Sequence, residues 1–434
     1  MYNFEDIDSS KDIAAVIAAI ESDSRTFRTL LEFSENDRIS GREVGKWTMT
    51  HASTNDDTIT IGDVLARQLE ISVYSRRMIR RGEKFRLKVY LLDSSRQTGW
   101  WRAKLWMVAK WQLIDLSAMT LEQVAHTNTV DADGAAMSDI YITLGEFTAA
   151  KCQRDGEAQK ITAYDRLAFS DIVYQPHIPF PALSGNVMTD VLKQCGVRER
   201  IVADVAPLAT SDGAAFCCAD GKPFYCSGEY SFVVQQKPVG QTCRDVLRQL
   251  TAVQGRNGIL TREGKFTTVG IADSVPVTEL RQSAIDRIEQ SDSTVQIAGI
   301  VCDTGSGTLQ IGDVNSDYTV EIESPYMTET RLLELWMTMR EYCWTPAECS
   351  EKLADPRRDL FDQLTYNGLQ FPVTSLSLEF DGGLYGSSDA CGQIEVNEDF
   401  AGDEQEIAAG VFLATSEGEY LVTEDETYIC AEEW

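Results

Sequence analysis

The side chains able to do chemistry are scattered rather than grouped. Eleven cysteines run from Cys152 to Cys430, an odd number without a CxxC pair, which is not the spacing of a disulfide framework. Cys217, Cys218 and Cys226 form the nearest cluster, three thiols without a fourth ligand at zinc-like spacing. They read as reduced, small apolar residues of a protein made in the cytosol. His51, His126 and His177 have no partner pattern around them, so each is expected to be packed or exposed rather than catalytic. Gly255, Gly258 and Gly264 precede no helix and lack the Lys-Ser/Thr that completes a phosphate loop. The expectation is therefore no catalytic residue, no cofactor-binding residue and no metal ligand.

Two further clusters suit contacts better than catalysis. Arg76, Arg77, Arg80 and Arg81 are the main basic group. They could touch an acidic neighbour, but the favoured reading is a solvated strand edge where cations block unwanted pairing. Trp100, Trp101, Trp106 and Trp111 fall within TGWWRAKLWMVAKW. Such a density of indoles belongs either to a core or to a subunit interface.

Charge narrows the function classes. The 434 residues hold 39 Lys and Arg against 68 Asp and Glu, a formal charge of −29, which argues against wrapping nucleic acid by neutralising phosphates. An acidic wall would instead repel a passing duplex, as a conduit requires; alternatively the acid merely solvates a large surface. The length predicts three or four domains, and the 43% hydrophobic share with 8 Trp, 15 Tyr and 16 Phe predicts that they fold. MYNFEDIDSSKD does not read as a signal peptide, and no window approaches the roughly 18 apolar residues of a membrane span.

The elements that must position these groups are mostly strands. After a short helix at 11–21 with Ile13, Ile17 and Ile20 on one face, the period changes to two in TFRTLLEF, EVGKWTMTHA, TITIGDVLARQLEISVY and EKFRLKVYLLD. Ile140, Ile142, Leu144 and Phe147 begin another strand, which Asp155-Gly156 turns back into KITAYDR as a hairpin. A Pro-rich connector near residue 176 marks a boundary. Helices follow on the stripe Val187, Val191, Leu192 and Cys195, ended by Gly196, and at 241–254, with the hairpin GILTREGKFTTVGI behind. Strands return from Ser293, then a helix over 328–343 with Thr328 as N-cap and Leu332, Leu333, Trp336, Met339 and Cys343 inside. Thr345-Pro346-Ala347-Glu348 spells a capping box, yet Ala347, Cys349 and Leu353 alternate as in a strand, and strand is the reading adopted.

The order of these pieces resembles the hub proteins at the tail tip of long-tailed bacteriophages. The similarity is carried by TITIGD with GEKFRLKVYLL, by LGEF with Tyr164, Asp165 and Arg166, by GILTREGKF, and by ADPRRDLFDQLTY with NGLQFPVTSLSLEFDGGL. It covers about 26–392 and departs at Phe361, where the family pattern has Gly before Asp362. The resemblance implies a mixed α+β, mainly β fold in which two tube-forming antiparallel β-barrels flank an α/β insert. The corresponding division is 1–25, 26–175 for the first barrel, 176–292 for the insert, 293–392 for the second barrel, and 393–434 as an acidic β-rich extension. That extension could hold a neighbour or pad the surface. The resemblance further implies a homotrimeric ring, with a tail tube or distal tail protein above and a tip, spike or fibre protein below. DNA would pass through its lumen without specific binding, and the protein would reside in the virion tail after synthesis in the host cytoplasm. Many hub relatives carry a peptidoglycan-cleaving domain; here about forty residues remain after Gly392, with no His and one thiol, Cys430, so no enzyme is expected. The other alternative is a carbohydrate-binding tip protein using the indoles at 100–111.

Overall fold

The computed structural model describes residues 17–52 (except 19, 24 and 35–36), 61–92, 137–201 (except 198), 206–207, 225–226, 232–270 and 277–396, the last with breaks at 292–294, 315–317, 341 and 367–368. The four indoles at 100–111, His126, Cys217, Cys218, Cys430 and nearly all of 393–434 lie outside the described residues, as does the side chain of Cys226.

Among the described residues of the first third, alternation becomes strand: β1 (Phe27–Ser34), β2 (Asp37–Ser40), β3 (Val44–Ala52), β4 (Gln68–Val73), β5 (Lys84–Leu92), β6 (Met137–Asp155) and β7 (Ala158–Tyr164). Trp47, Met49 and His51 of β3 are buried while Lys46, Thr50 and Ala52 face out, the period-two split of a sheet with one dry face. The Asp155-Gly156 hairpin forms as expected, pairing Asp155 with Ala158 around Gly156 at φ 63°. The chain is mainly β with few helices. Those with side chains packed inward are α1 (Ser184–Gln194), α2 (Cys243–Ala252) and α3 (Glu329–Met339). Thr242 and Asp245 close a capping box on α2, whose Val246, Leu247 and Leu250 are wholly buried. Among the described residues no helix is long and apolar enough to cross a membrane.

The described strands of both expected barrel regions pair in one ladder. One 12-stranded sheet runs Ile285–Gln290, Tyr342–Glu351, Leu384–Val396, Ser375–Phe380, β3, β4, β7, β6, β5, β1, β2, with Val295–Gln296 paired to Tyr342–Glu351 off this path. The seam between its two halves is β3 against Ser375–Phe380, antiparallel from Ala52↔Ser375 to Trp47↔Phe380. There the Trp47 and Phe380 rings stack at 5.9 Å and 10°, and the Trp47 indole donates to Thr29 Oγ1 at 2.8 Å. Within this ladder the described strands form no closed barrel: β2 and Ile285–Gln290 are its two ends.

Local rules succeed and fail for physical reasons. Tyr342–Glu351 is a strand, because neighbours pair with it on both sides and outweigh a cap that could satisfy only a few backbone groups. Thr328 does cap α3, accepting from Arg331 N at 3.3 Å. The helix nevertheless stops at Met339, short of the predicted 343, and Cys343 joins the strand that follows. Of the long strand predicted through TITIGDVLARQLEISVY, the described part, from Ile61, is strand only from Gln68. Residues 61–67 leave the sheet to bond the α2–hairpin turn, with Gly62 N on Arg256 O at 3.1 Å and Leu65 N on Gly258 O at 2.8 Å.

Gly62 can make that turn because its φ is +80° and its missing Cβ would sit 2.5 Å from the Ala252 Cβ and 2.6 Å from its Cα. Gly62→Ala is expected to cost about 2 kcal/mol, combining left-handed strain with a clash against helix backbone. A urea midpoint that shifts down at unchanged slope would register it.

Phe361 also adopts the left-handed conformation, φ 64°, where the family pattern has Gly. The turn survives this departure: Phe361 N donates to Val373 O at 2.7 Å and the ring is 3% exposed. Burying a Phe contributes about 1.5–3 kcal/mol, enough to offset the roughly 1–2 kcal/mol of strain.

Candidate functional site: a buried ionic junction and an arginine loop

The densest buried charge lies where the two halves of the chain meet. Arg67, the residue before β4, is 2% exposed. Its N–H donates to Asp165 Oδ2 at 2.9 Å and its carbonyl accepts from Asp165 N at 3.0 Å, so the ends of β4 and β7 are stitched together. Asp165 is also 2% exposed and accepts from Leu167 N at 3.0 Å, capping the 3-10 turn Arg166–Phe169. Burial pushes its carboxyl up to about 6, against the opposing pull of those backbone N–H donors and the charge of Arg67. Arg166 then reaches sideways to Cys195 O at the end of α1, at 2.7 Å. The three residues that carried the resemblance therefore act mechanically: Tyr164 ends the strand, Asp165 ties its end, and Arg166 clamps the following helix.

Arg262, 3% exposed, leaves the hairpin beside α2 and gathers acceptors from several segments. It donates to Thr143 O of β6 at 3.2 Å, Pro356 O at 2.6 Å and Arg358 O at 2.7 Å, and its Nε meets Asp359 Oδ2 at 3.0 Å. Arg67 Nη2 approaches the other Asp359 oxygen at 3.2 Å. Burial would raise the Asp359 carboxyl, but the guanidinium groups of Arg262 and Arg67 overcome it and hold the group well below the usual carboxylate range. Asp362, the acid of the ADPRRDLFD stretch, accepts from Asp359 N at 2.9 Å. Arg358 pairs with Glu351, and Arg357 with Asp355 and with Glu21 at 3.0 Å.

His51 of β3 faces the same junction, 2% exposed, with neither ring nitrogen in a well-formed hydrogen bond. Burial first, then the charge of Arg67, holds it neutral by lowering its pKa well below the ordinary value. His177 is exposed, its ring 3.5 Å from Asp190. The Cys195 and Cys243 thiols are buried against each other between α1 and α2; that contact, together with burial, keeps Cys195 protonated. Among the described residues no group of three or more His, Cys, Asp or Glu is placed to hold a metal. The junction can do one thing chemically: hold opposite charges in fixed geometry and thereby fix the seam.

The four predicted arginines divide. Arg77 is internal stitching, bidentate to Asp37 at 2.7–2.9 Å, paired with Glu83, and 3.5 Å over the Phe33 ring. Arg76, Arg80 and Arg81 are exposed on the loop between β4 and β5. Gln159, missed by sequence reasoning, braces that loop from β7: it donates to Arg77 O at 2.7 Å and accepts from Ile79 N at 3.0 Å.

No family model matches this chain, and no curated protein matches it. Among solved structures, it is similar to the 43 kDa tail protein of prophage MuSo2 from Shewanella oneidensis at 10% identity, over 85% of this chain and 100% of that one, with a TM-score of 0.43. The tail protein from Neisseria meningitidis MC58 aligns at 8% identity over 85% and 97%, TM-score 0.46. The E. coli c3393 protein, a component of the type VI secretion system with structural similarity to the T4 bacteriophage tail proteins gp27 and gp5, aligns at 7% identity over 82% and 74%, TM-score 0.34. The structural neighbours are thus phage tail proteins and a type VI secretion component.

Proposed function

We propose that this chain is a structural hub of a phage or phage-like tail tip, a homotrimeric ring that joins the hexameric tail tube to a three-fold tip. The observation that carries this reading is the seam: β3 against Ser375–Phe380 joins the strands of both halves into one sheet, held behind by the Arg67–Asp359–Arg262 junction. A chain built this way supplies two tube-forming β units, 26–175 and 293–392, as one wall segment. Three such segments give six units around an axis, the number that a six-fold tube presents. The part between them, 176–292, braces the wall through Arg262 and adds Ile285–Gln290 to the edge of its sheet. The excess of 68 acids over 39 bases suits a lumen that lets DNA through without adhesion. Partners in this reading are a tube or distal tail protein above and a tip, spike or fibre protein below.

In this reading the chain is not a hydrolase. A zymogram of host peptidoglycan with the purified chain, free of other tail proteins, is expected to show no clearing, and clearing would refute the structural assignment.

A further inference from the structure

A polar cavity and an exposed loop complement each other in charge, and neither takes part in the junction. The cavity, about 350 Å³, is lined by Gly62, Gln241, Arg248, Gln249, Glu321 and Glu323 among others. Val320 and Ile322 turn into the core, so Glu321 and Glu323 alternate outward and are exposed. Arg248 is engaged by Asp63 at 3.2 Å. Gln249 is 8% exposed, yet its Oε1 has no hydrogen-bond partner, and the buried Oε1 of Gln241 has none either. The unpartnered amide oxygens of two lining residues and the exposed carboxylates of Glu321 and Glu323 favour a ligand with several donors and positive charge. A guanidinium fits, with five N–H donors in a planar fork and no acceptor. The acids are not grouped so as to cage a metal, among the described residues.

The loop offers such groups. Arg76, Arg80 and Arg81 are exposed, and their side chains make no hydrogen bond or ion pair among the described residues. Tyr74 and Met78 beside them are 53% and 52% exposed, giving the Arg, Tyr and Met composition enriched in protein interfaces. Gln159 and the Arg77 pairs hold the loop's base in place, so little ordering is needed on docking. Cavity and loop lie at opposite ends of β4: Gly62 is on the entry side of Gln68, and the loop leaves at Val73. Six residues of strand separate them by roughly 20 Å. A chain therefore cannot dock its own loop, whereas a second copy can, head to tail, in the kind of contact that closes into a ring.

We propose that loop 74–82 of one copy places an arginine from Arg76, Arg80 or Arg81 in the Gln249–Glu321–Glu323 cavity of the next. This deepens the ring reading and rests on it for three-fold closure. The test is light scattering on the purified full chain over a concentration series at low ionic strength. Wild type is expected to assemble toward three chains of 48.3 kDa, about 145 kDa. Two variants, R76E/R80E/R81E and E321K/E323K, should each assemble at least tenfold more weakly while keeping the wild-type thermal midpoint. A chain carrying all five reversals should regain most of the loss, because each new contact is again complementary. The proposal is overturned if the arginine variant assembles like wild type, or if the fully reversed chain does no better than the two partial ones. A wild type that stays monomeric at every concentration also overturns self-docking, while the ring itself is judged separately in the assembled tail.

Discussion

Arg262→Ala is expected to destabilise the protein by about 3–5 kcal/mol, more than any other single substitution at the junction. Its guanidinium is 3% exposed, donates to three carbonyls from two distant segments, and neutralises Asp359. Truncation strands those acceptors and leaves Arg67 as the remaining close cation on the Asp359 carboxylate, the situation in which removing one partner of a buried pair costs most. Arg262→Lys should recover only part of the loss, since one ammonium cannot reproduce a planar fork spread over Pro356, Arg358 and Asp359. Equilibrium denaturation of wild type and both variants orders the three. An alanine variant within about 1 kcal/mol of wild type would mean that the junction does not hold the seam.

The second large effect is at Asp165. Asp165→Ala leaves the buried N–H groups of Arg67 and Leu167 without acceptors and should cost about 3 kcal/mol. The pH dependence has a definite sign. The folded carboxyl titrates at about 6 and the unfolded one at the ordinary aspartate value of 3.8, so its contribution is fully present below pH 4 and is lost as pH rises through 6. Asp165→Asn removes that titration. The stability of wild type minus that of the variant should therefore fall between pH 4 and 6, by up to about 3 kcal/mol. His51 works in the opposite direction: its folded pKa is lowered, so its contribution is present above the ordinary imidazole value and lost as pH falls below it. A wild-type-minus-variant difference that rises from pH 4 to 6 would contradict the assignment for Asp165.

Much of the local architecture could be read from the residues. Asp155-Gly156 named its hairpin, the pattern over 241–254 named α2, and Thr328 named the start of α3, because each is set by neighbours a few positions away. The seam could not be read. Alternation in GKWTMTHA and SLSLEF says which face is dry, but not that these two strands, from opposite ends of the chain, lie side by side. For the same reason the single ladder that joins the strands of both halves could not be foreseen. The junction lay half in view. Asp165, Arg262 and Asp362 stand inside the very stretches that resemble hub proteins, yet nothing in their spacing says that they converge. Arg67 stands unmarked inside the run TITIGDVLARQLEISVY, and only the distant Asp359 offsets the cost of its burial. Gln159 shows the converse case, a polar residue at an inward strand position whose partners are loop backbone groups invisible to pattern reading.

The hub reading is tested most directly by an image of the assembled tail with this chain located by a tag or by antibody fragments. The expected result is one ring of three copies at the tube's distal end, six β units around the axis in pseudo-six-fold array, and carboxylates facing the bore. A two-fold or true six-fold arrangement of the chain, or a bore lined by neutral and basic side chains, would contradict it.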